Sequence, residues 1–156
     1  MKKTVFYIFV LASLFALSAC GSSTTSQTNS ADINTYLNPV SVDYVKKQLG
    51  TDNIENEFNS MIGYKSSTVF CGMITDVLQF WFDPSSKMVN QIYFETTNER
   101  LNKDAVDNMI DELSKKFGNP NKDIVSAYGY IKYTWKNNTG IVIRDDAVTL
   151  VDIRYS

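Results

Sequence analysis

Two stretches of this 156-residue chain repeat their apolar residues at helical spacing and stop at a glycine, and each is followed by runs in which apolar and polar residues alternate. A helical stripe and an alternating strand each leave one face that must be buried against another element, so this order restricts the fold to helices laid on antiparallel sheet. In the first stretch, Pro39 and Ser41 open a helix whose Val42, Val45 and Leu49 share one side, and Gly50 ends it. The second predicts a helix from about Lys103 to Phe117 with the stripe Val106, Met109, Ile110, Leu113 and Phe117. Asp104 and Asp107 suit its positive N-terminal end, Lys115 and Lys116 suit the other, and Gly118 with Pro120 closes it.

Elsewhere the period is two. Leu78, Phe80 and Phe82 share one face of a strand, with Gln79 and Trp81 on the other. Asp83-Pro84-Ser85-Ser86 turns the chain, which returns with Met88, Asn90, Ile92 and Phe94 on one side and Val89, Gln91, Tyr93 and Glu95 on the other. After the second helix, a strand around Tyr128 to Trp135, a turn at Asn137 to Gly140, a short strand Ile141 to Arg144, a turn at Asp145-Asp146 and a last strand Val148 to Tyr155 predict a meander. The segment Thr51 to Ser67 has no clear period. The two parts echo one another: Lys46-Lys47-Gln48-Leu49-Gly50 with Lys115-Lys116-Phe117-Gly118, Leu78–Phe82 with Ile131–Trp135, and Asn90–Phe94 with Val151–Tyr155. The fold class expected is α+β: two imperfect helix-then-antiparallel-strand units, about 41–96 and 103–155, forming a sheet with helices packed on one face of a single domain at 33–156.

Composition excludes several classes of function. At 44% hydrophobic and 13% aromatic, the chain has the apolar material for a packed core. It has no histidine, which removes His-based triads, His-ligated zinc and histidine general bases. Met1-Lys2-Lys3, the apolar run Val5 to Leu17 and the small residues Ser18 and Ala19 read as a signal peptide at 1–19, too short in its apolar core to span a bilayer. Without that segment, 13 basic side chains face 17 acidic ones, a balance that disfavours a nucleic-acid partner.

Leu17-Ser18-Ala19-Cys20 resembles the bacterial lipobox. The resemblance implies cleavage before Cys20 and acylation of that cysteine with diacylglycerol and chains such as palmitate, an anchor that is effectively permanent. Gly21 to Ser30 contains no large apolar residue, so 20–32 is an acylated cysteine followed by a flexible Ser/Thr-rich tether with a reach of about 20 Å. The location implied is the cell membrane or outer membrane, facing away from the cytoplasm. With Cys20 acylated, Cys71 has no disulfide partner, and between Phe70 and Gly72-Met73-Ile74 it reads as a buried small apolar side chain.

The lipobox, the polar tether, and helices ending in Leu49-Gly50 and Phe117-Gly118 ahead of strands bearing Phe80, Trp81 and Trp135 resemble a family of small bacterial envelope lipoproteins with tandem helix-plus-sheet units. The β-lactamase-inhibitor-protein-like and small outer-membrane-assembly lipoproteins make up that superfamily, and the resemblance covers about Ser41 to Tyr155. The chain lacks the inhibitor's two-disulfide pattern, so β-lactamase inhibition is not implied. A non-enzymatic binding module is.

Chemistry-bearing motifs are sparse. The carboxylate pairs Asp111-Glu112 and Asp145-Asp146 read as a solvated helix face and a turn, and no calcium loop, nucleophile elbow or glycine-rich phosphate loop occurs. No catalytic residue, metal or cofactor is expected. The aromatics remain, because Trp and Tyr concentrate at interfaces. Ile131, Tyr133 and Trp135 fit a core face, which turns Tyr128, Tyr130, Lys132 and Thr134 outward, with Trp81 and Tyr93 on the corresponding face of the first hairpin. The candidate binding face is therefore Trp81, Tyr93, Tyr128, Tyr130 and Lys132, unless a curved sheet buries these rings against its own loops. It serves either a protein partner in the envelope, with the chain as inhibitor or accessory subunit, or a small ligand or cell-wall fragment stacked on the aromatic sheet. A tight aromatic cleft favours the ligand; a flat or convex face favours the protein.

Overall fold

The computed structural model describes residues 32–144 and 148–155. The signal peptide, Cys20, the tether up to residue 31 and the Asp145-Asp146 pair lie outside the described residues.

A short 3-10 turn, Ile33–Tyr36, comes first, and the Asp32 carboxylate accepts from the Asn34 amide at 3.1 Å to start it. Helix α1, Val42–Leu49, begins where the Ser41 hydroxyl accepts from the Tyr44 amide at 3.2 Å. It ends at Gly50, whose φ of 80° is open to glycine and strained for other residues. Six strands follow: β1 Ile54–Glu57, β2 Met61–Tyr64, β3 Val69–Phe70, β4 Met73–Ile74, β5 Val77–Phe82 and β6 Val89–Thr97. Helix α2, Lys103–Phe117, is capped by the Asn102 side chain, which accepts from the Ala105 amide at 3.2 Å. Then come β7 Asn121–Val125, β8 Tyr130–Thr134, β9 Gly140–Arg144 and β10 Val148–Arg154.

Among the described residues, eight strands make one antiparallel sheet in the order β1-β2-β5-β6-β10-β9-β8-β7, and β3 and β4 pair separately. The fold is α+β and mainly sheet. Strands β6 and β10, the last of the strands before and after α2, are paired side by side at its centre from Gln91↔Arg154 to Thr97↔Val148. One side of the sheet buries Ile62, Phe80, Ile92, Ile153, Leu78, Phe94, Val151 and Ile141, and Val45, Leu49, Val106, Met109 and Leu113 of the helices join the same apolar cluster. The β3–β4 hairpin drives Phe70 into its middle, where the ring meets Tyr36 at 5.0 Å, Phe94 at 5.3 Å and Phe80 at 5.5 Å between centroids. Its two turn residues, Cys71 and Gly72, both take positive φ (48° and 77°), the requirement of the tightest hairpin connection. Cys71 is buried there, and burial pushes its thiol well above the usual range.

Both helices fall within the bounds that the sequence predicts; the sheet departs from expectation at several points, the β3–β4 hairpin among them. Thr51 to Ser67 holds a 3-10 turn, Thr51–Asn53, and the strands β1 and β2. Strand β7 is also unforeseen. As edge strands, β1 and β7 have a free side, so Ile-Glu-Asn-Glu and Asn-Lys-Asp-Ile-Val need no alternation of apolar residues. Next, Trp81 pairs with Gln91 but Phe82 pairs with Val89, so β6 carries one extra residue at that step. This bulge reverses the expected phase: Val89 is buried and Met88 exposed. Third, the strand expected from Tyr128 to Trp135 is shorter, because Ser126–Tyr128 forms a 3-10 turn ended by Gly129 at φ 59°, and β8 starts at Tyr130. Last, the echo of Leu78–Phe82 with Ile131–Trp135 does not hold in the topology. β5 adjoins β6, whereas β9 lies between β8 and β10; alternation alone cannot distinguish strands that share the same two-residue period.

Candidate functional site

Residues paired across an antiparallel sheet point to the same side, so the register identifies what the side opposite the core carries. One row runs Met61, Trp81, Gln91, Arg154; the next runs Gln79, Tyr93, Asp152, Gly140, Thr134. A third holds Glu95, Leu150, Val142, Lys132 and Asp123, and a fourth pairs Arg144 with Tyr130. All five residues of the candidate face lie on this open side: Trp81, Tyr93, Tyr130 and Lys132 on strands, and Tyr128 folded over from its turn beside Tyr130. None of the four rings is buried; Trp81 is 38% exposed and Tyr128 73%.

The polar groups between the rings are tied to one another. Gln91 donates to Asp152 at 2.9 Å, and Arg154 grips the other carboxylate oxygen through Nη2 at 2.8 Å and Nε at 3.1 Å. That carboxylate holds the Arg154 guanidinium further toward its charged form. The Tyr93 hydroxyl donates to the Glu95 carboxylate, and partial burial together with that neighbour pushes the phenol up. Asn137 donates to the Arg154 carbonyl at 2.6 Å, which fixes the loop before β9 against the end of β10.

Two open hollows lie on this side. One, of about 410 Å³, is lined by Tyr93, Lys132, Asn138, Leu150, Asp152 and Arg154 among others. The second, of about 400 Å³, is lined by Tyr128, Tyr130, Val142, Arg144 and Leu150. The rings of Tyr128 and Tyr130 are nearly parallel, 17° apart, with centroids at 6.4 Å. The structure thus brings Tyr93 and Lys132 into one hollow and Tyr128 and Tyr130 into the other; Trp81 lines neither and sits in the row with Met61 and Gln91. Sequence reasoning missed Asp152, Arg154, Leu150 and Val142. The signal was present, since alternation in Val148 to Tyr155 that buries Val151 and Ile153 must turn Leu150, Asp152 and Arg154 the other way.

Of the carboxylate pairs, Asp111 is exposed on α2 and Glu112 pairs with Lys115 one turn on. Among the described residues no three Cys, Asp or Glu side chains sit together as a metal ion needs, and no helix is long and apolar enough to cross a membrane. Compared with protein-family models, curated proteins and solved structures, the chain finds no match.

Proposed function

We propose that this protein is an envelope lipoprotein, anchored through acyl chains on Cys20 to the cell membrane or outer membrane and facing away from the cytoplasm, that acts as a non-enzymatic protein-binding module. It is an inhibitor or an accessory subunit of an envelope complex. The domain is built from two imperfect helix-then-strand units with both helices on the core side. The strand order supports this, because β1-β2-β5-β6 is followed by β10-β9-β8-β7 and each set of four comes after one helix.

The observation that carries the binding reading is the open side of the sheet. Its exposed rings alternate with polar groups of which Gln91, Asp152 and Arg154 already bond to one another and Tyr93 to Glu95, so covering that part of the face with a partner strands few buried donors or acceptors. Its hollows are open, which suits a broad protein contact over an enclosed small ligand.

The test is affinity capture from envelope extract with the full chain in detergent, against the double variant Trp81→Ala/Tyr93→Ala. One dominant protein held by the wild type and lost by the variant, with thermal unfolding unchanged, supports the reading; equal capture by both sinks it. Separately, Cys20→Ala is expected to abolish palmitate labelling, and persistent label removes the anchor.

A further inference from the structure

We propose that the trough between Tyr128 and Arg154 on the open side binds a neutral oligosaccharide. A sugar ring lies on the Tyr128–Tyr130 pair, and the rings that follow are hydrogen-bonded along Lys132, Asn138, Asp152 and Arg154. This goes beyond the protein-binding reading and needs neither the acyl anchor nor a protein partner.

Three observations converge on that ligand class. The two hollows adjoin at the cross-strand pair Val142 and Leu150, which lines both, so they lie end to end as one trough with an apolar saddle. From the Tyr130 row to the Arg154 row it runs six residues along β10, about 20 Å, and holds an oligomer better than a single ring. The two tyrosines supply a platform. Tyr128 is the most exposed large apolar side chain among the described residues, yet the Ser126–Tyr128 turn and left-handed Gly129 hold it nearly parallel to Tyr130. The exposed face of Tyr128, backed by the ring of Tyr130 and edged by its own hydroxyl, matches the C–H face of a pyranose and its equatorial hydroxyls.

The charge pattern selects among ligands. The lining itself holds Lys132, Arg144 and Arg154 against Asp152, with Arg154 paired to that carboxylate, and Glu95 and Asp123 flank it at the two ends of the Lys132 row, so over strands β6 to β10 this side is balanced three against three and draws no anion or cation as a whole. Its donors and acceptors are interleaved: ammonium and guanidinium donate, the Asp152 carboxylate accepts, and the Asn138 amide does both. A polyhydroxylated neutral ligand uses both kinds. An extended peptide fits less well, because β8, β9 and β10 are interior strands whose backbone groups are taken by their neighbours, and a peptide gains no ladder there.

The experiment titrates the isotope-labelled full chain in detergent with chitotetraose and with cellotetraose, and with tetraglutamate and tetralysine as comparators, following backbone amide resonances. The expected result is that a neutral tetrasaccharide moves the resonances of Val142, Leu150 and Asp152. Tyr128→Ala, at a position too exposed to disturb folding, weakens that binding by about three- to tenfold, and Trp81→Ala leaves it unchanged. The proposal falls if a correctly folded protein binds neither tetrasaccharide, if a charged peptide binds as well as the sugars, or if Tyr128→Ala binds like the wild type. Those failures leave the Trp81/Tyr93 capture untouched, so the two readings stand or fall separately.

Discussion

The two halves of the sheet bury their core side to different depths. In the half made by β1, β2, β5 and β6, the residues Ile62, Phe80, Ile92 and Phe94 are fully buried, and Phe70 and Tyr36 form a further aromatic layer over them. In the half made by β10, β9, β8 and β7 burial fades outward. Val151 and Ile141 are fully covered, Ile143 and Ile131 partly, and Ile124 on the edge is 66% exposed. One insertion makes the difference. The β3–β4 hairpin between β2 and β5 brings Phe70, Cys71 and Met73 to the first half, and no hairpin lies between β8 and β9. Stability is therefore concentrated in the first half, while the second offers its flank and open side to solvent.

The largest effect that separates the halves comes from truncating the aromatic layer. Phe80→Ala and Phe70→Ala are each expected to cost about 3–5 kcal/mol, and Ile131→Ala well under half of that, read from denaturant midpoints at constant m. Equal losses would show that the halves share the load. Alkali is next. Burial pushes Tyr64 up to about 12, and burial likewise raises Tyr36 and Tyr155, whose hydroxyl donates to the Tyr36 carbonyl. Groups whose folded pKa lies above the unfolded value of about 10 contribute stability that is complete below pH 10 and lost as pH rises toward 12 and beyond. Tyrosinate absorbance is expected to lag in these residues and then appear together with loss of the fold; early titration of all tyrosines would place them nearer solvent.

Smaller effects follow at the caps. Ser41→Ala and Asn102→Ala each remove a side-chain acceptor from the start of one helix and are expected to cost about 1 kcal/mol, by the same amount in each half. A marked inequality would mean that one helix depends on its packing alone. Smallest of all, Ile124→Ser is expected to change stability by less than about 0.5 kcal/mol although it stands in line with core residues. A larger loss, or a change in sedimentation, would show the edge to be covered in solution.

Much of this fold is legible in the sequence wherever burial enforces a period. Both helices are readable because their stripes and ends, Ser41 and Gly50 for the first and Gly118 after Phe117 for the second, are written in residue types. The strands β5, β8, β9 and β10 are readable because one side of each meets a core. Illegible were the edges β1 and β7, where a free side relaxes the pattern, the two-residue strands β3 and β4, too short to show a period, and the bulge opposite Phe82, where one extra residue puts Val89 on the side of Ile92 and Phe94 and leaves Met88 out. On the open side Trp81, Tyr93 and Tyr130 were legible through alternation; Tyr128 reaches that side from a turn, and the Gln91–Asp152–Arg154 link was not legible, since it joins β6 to β10 and depends on register.

The central pairing of β6 with β10 bears on how the chain is made. Among the described residues β10 is the last strand in chain order, yet it lies in the middle of the sheet. Until it emerges, β6 presents a bare edge of nine residues, Val89–Thr97, to any other strand nearby. The sheet closes only after synthesis has passed Arg154, so a chain held open until then, by a chaperone or by passage through a membrane, is protected at the stage when pairing with a second copy is easiest.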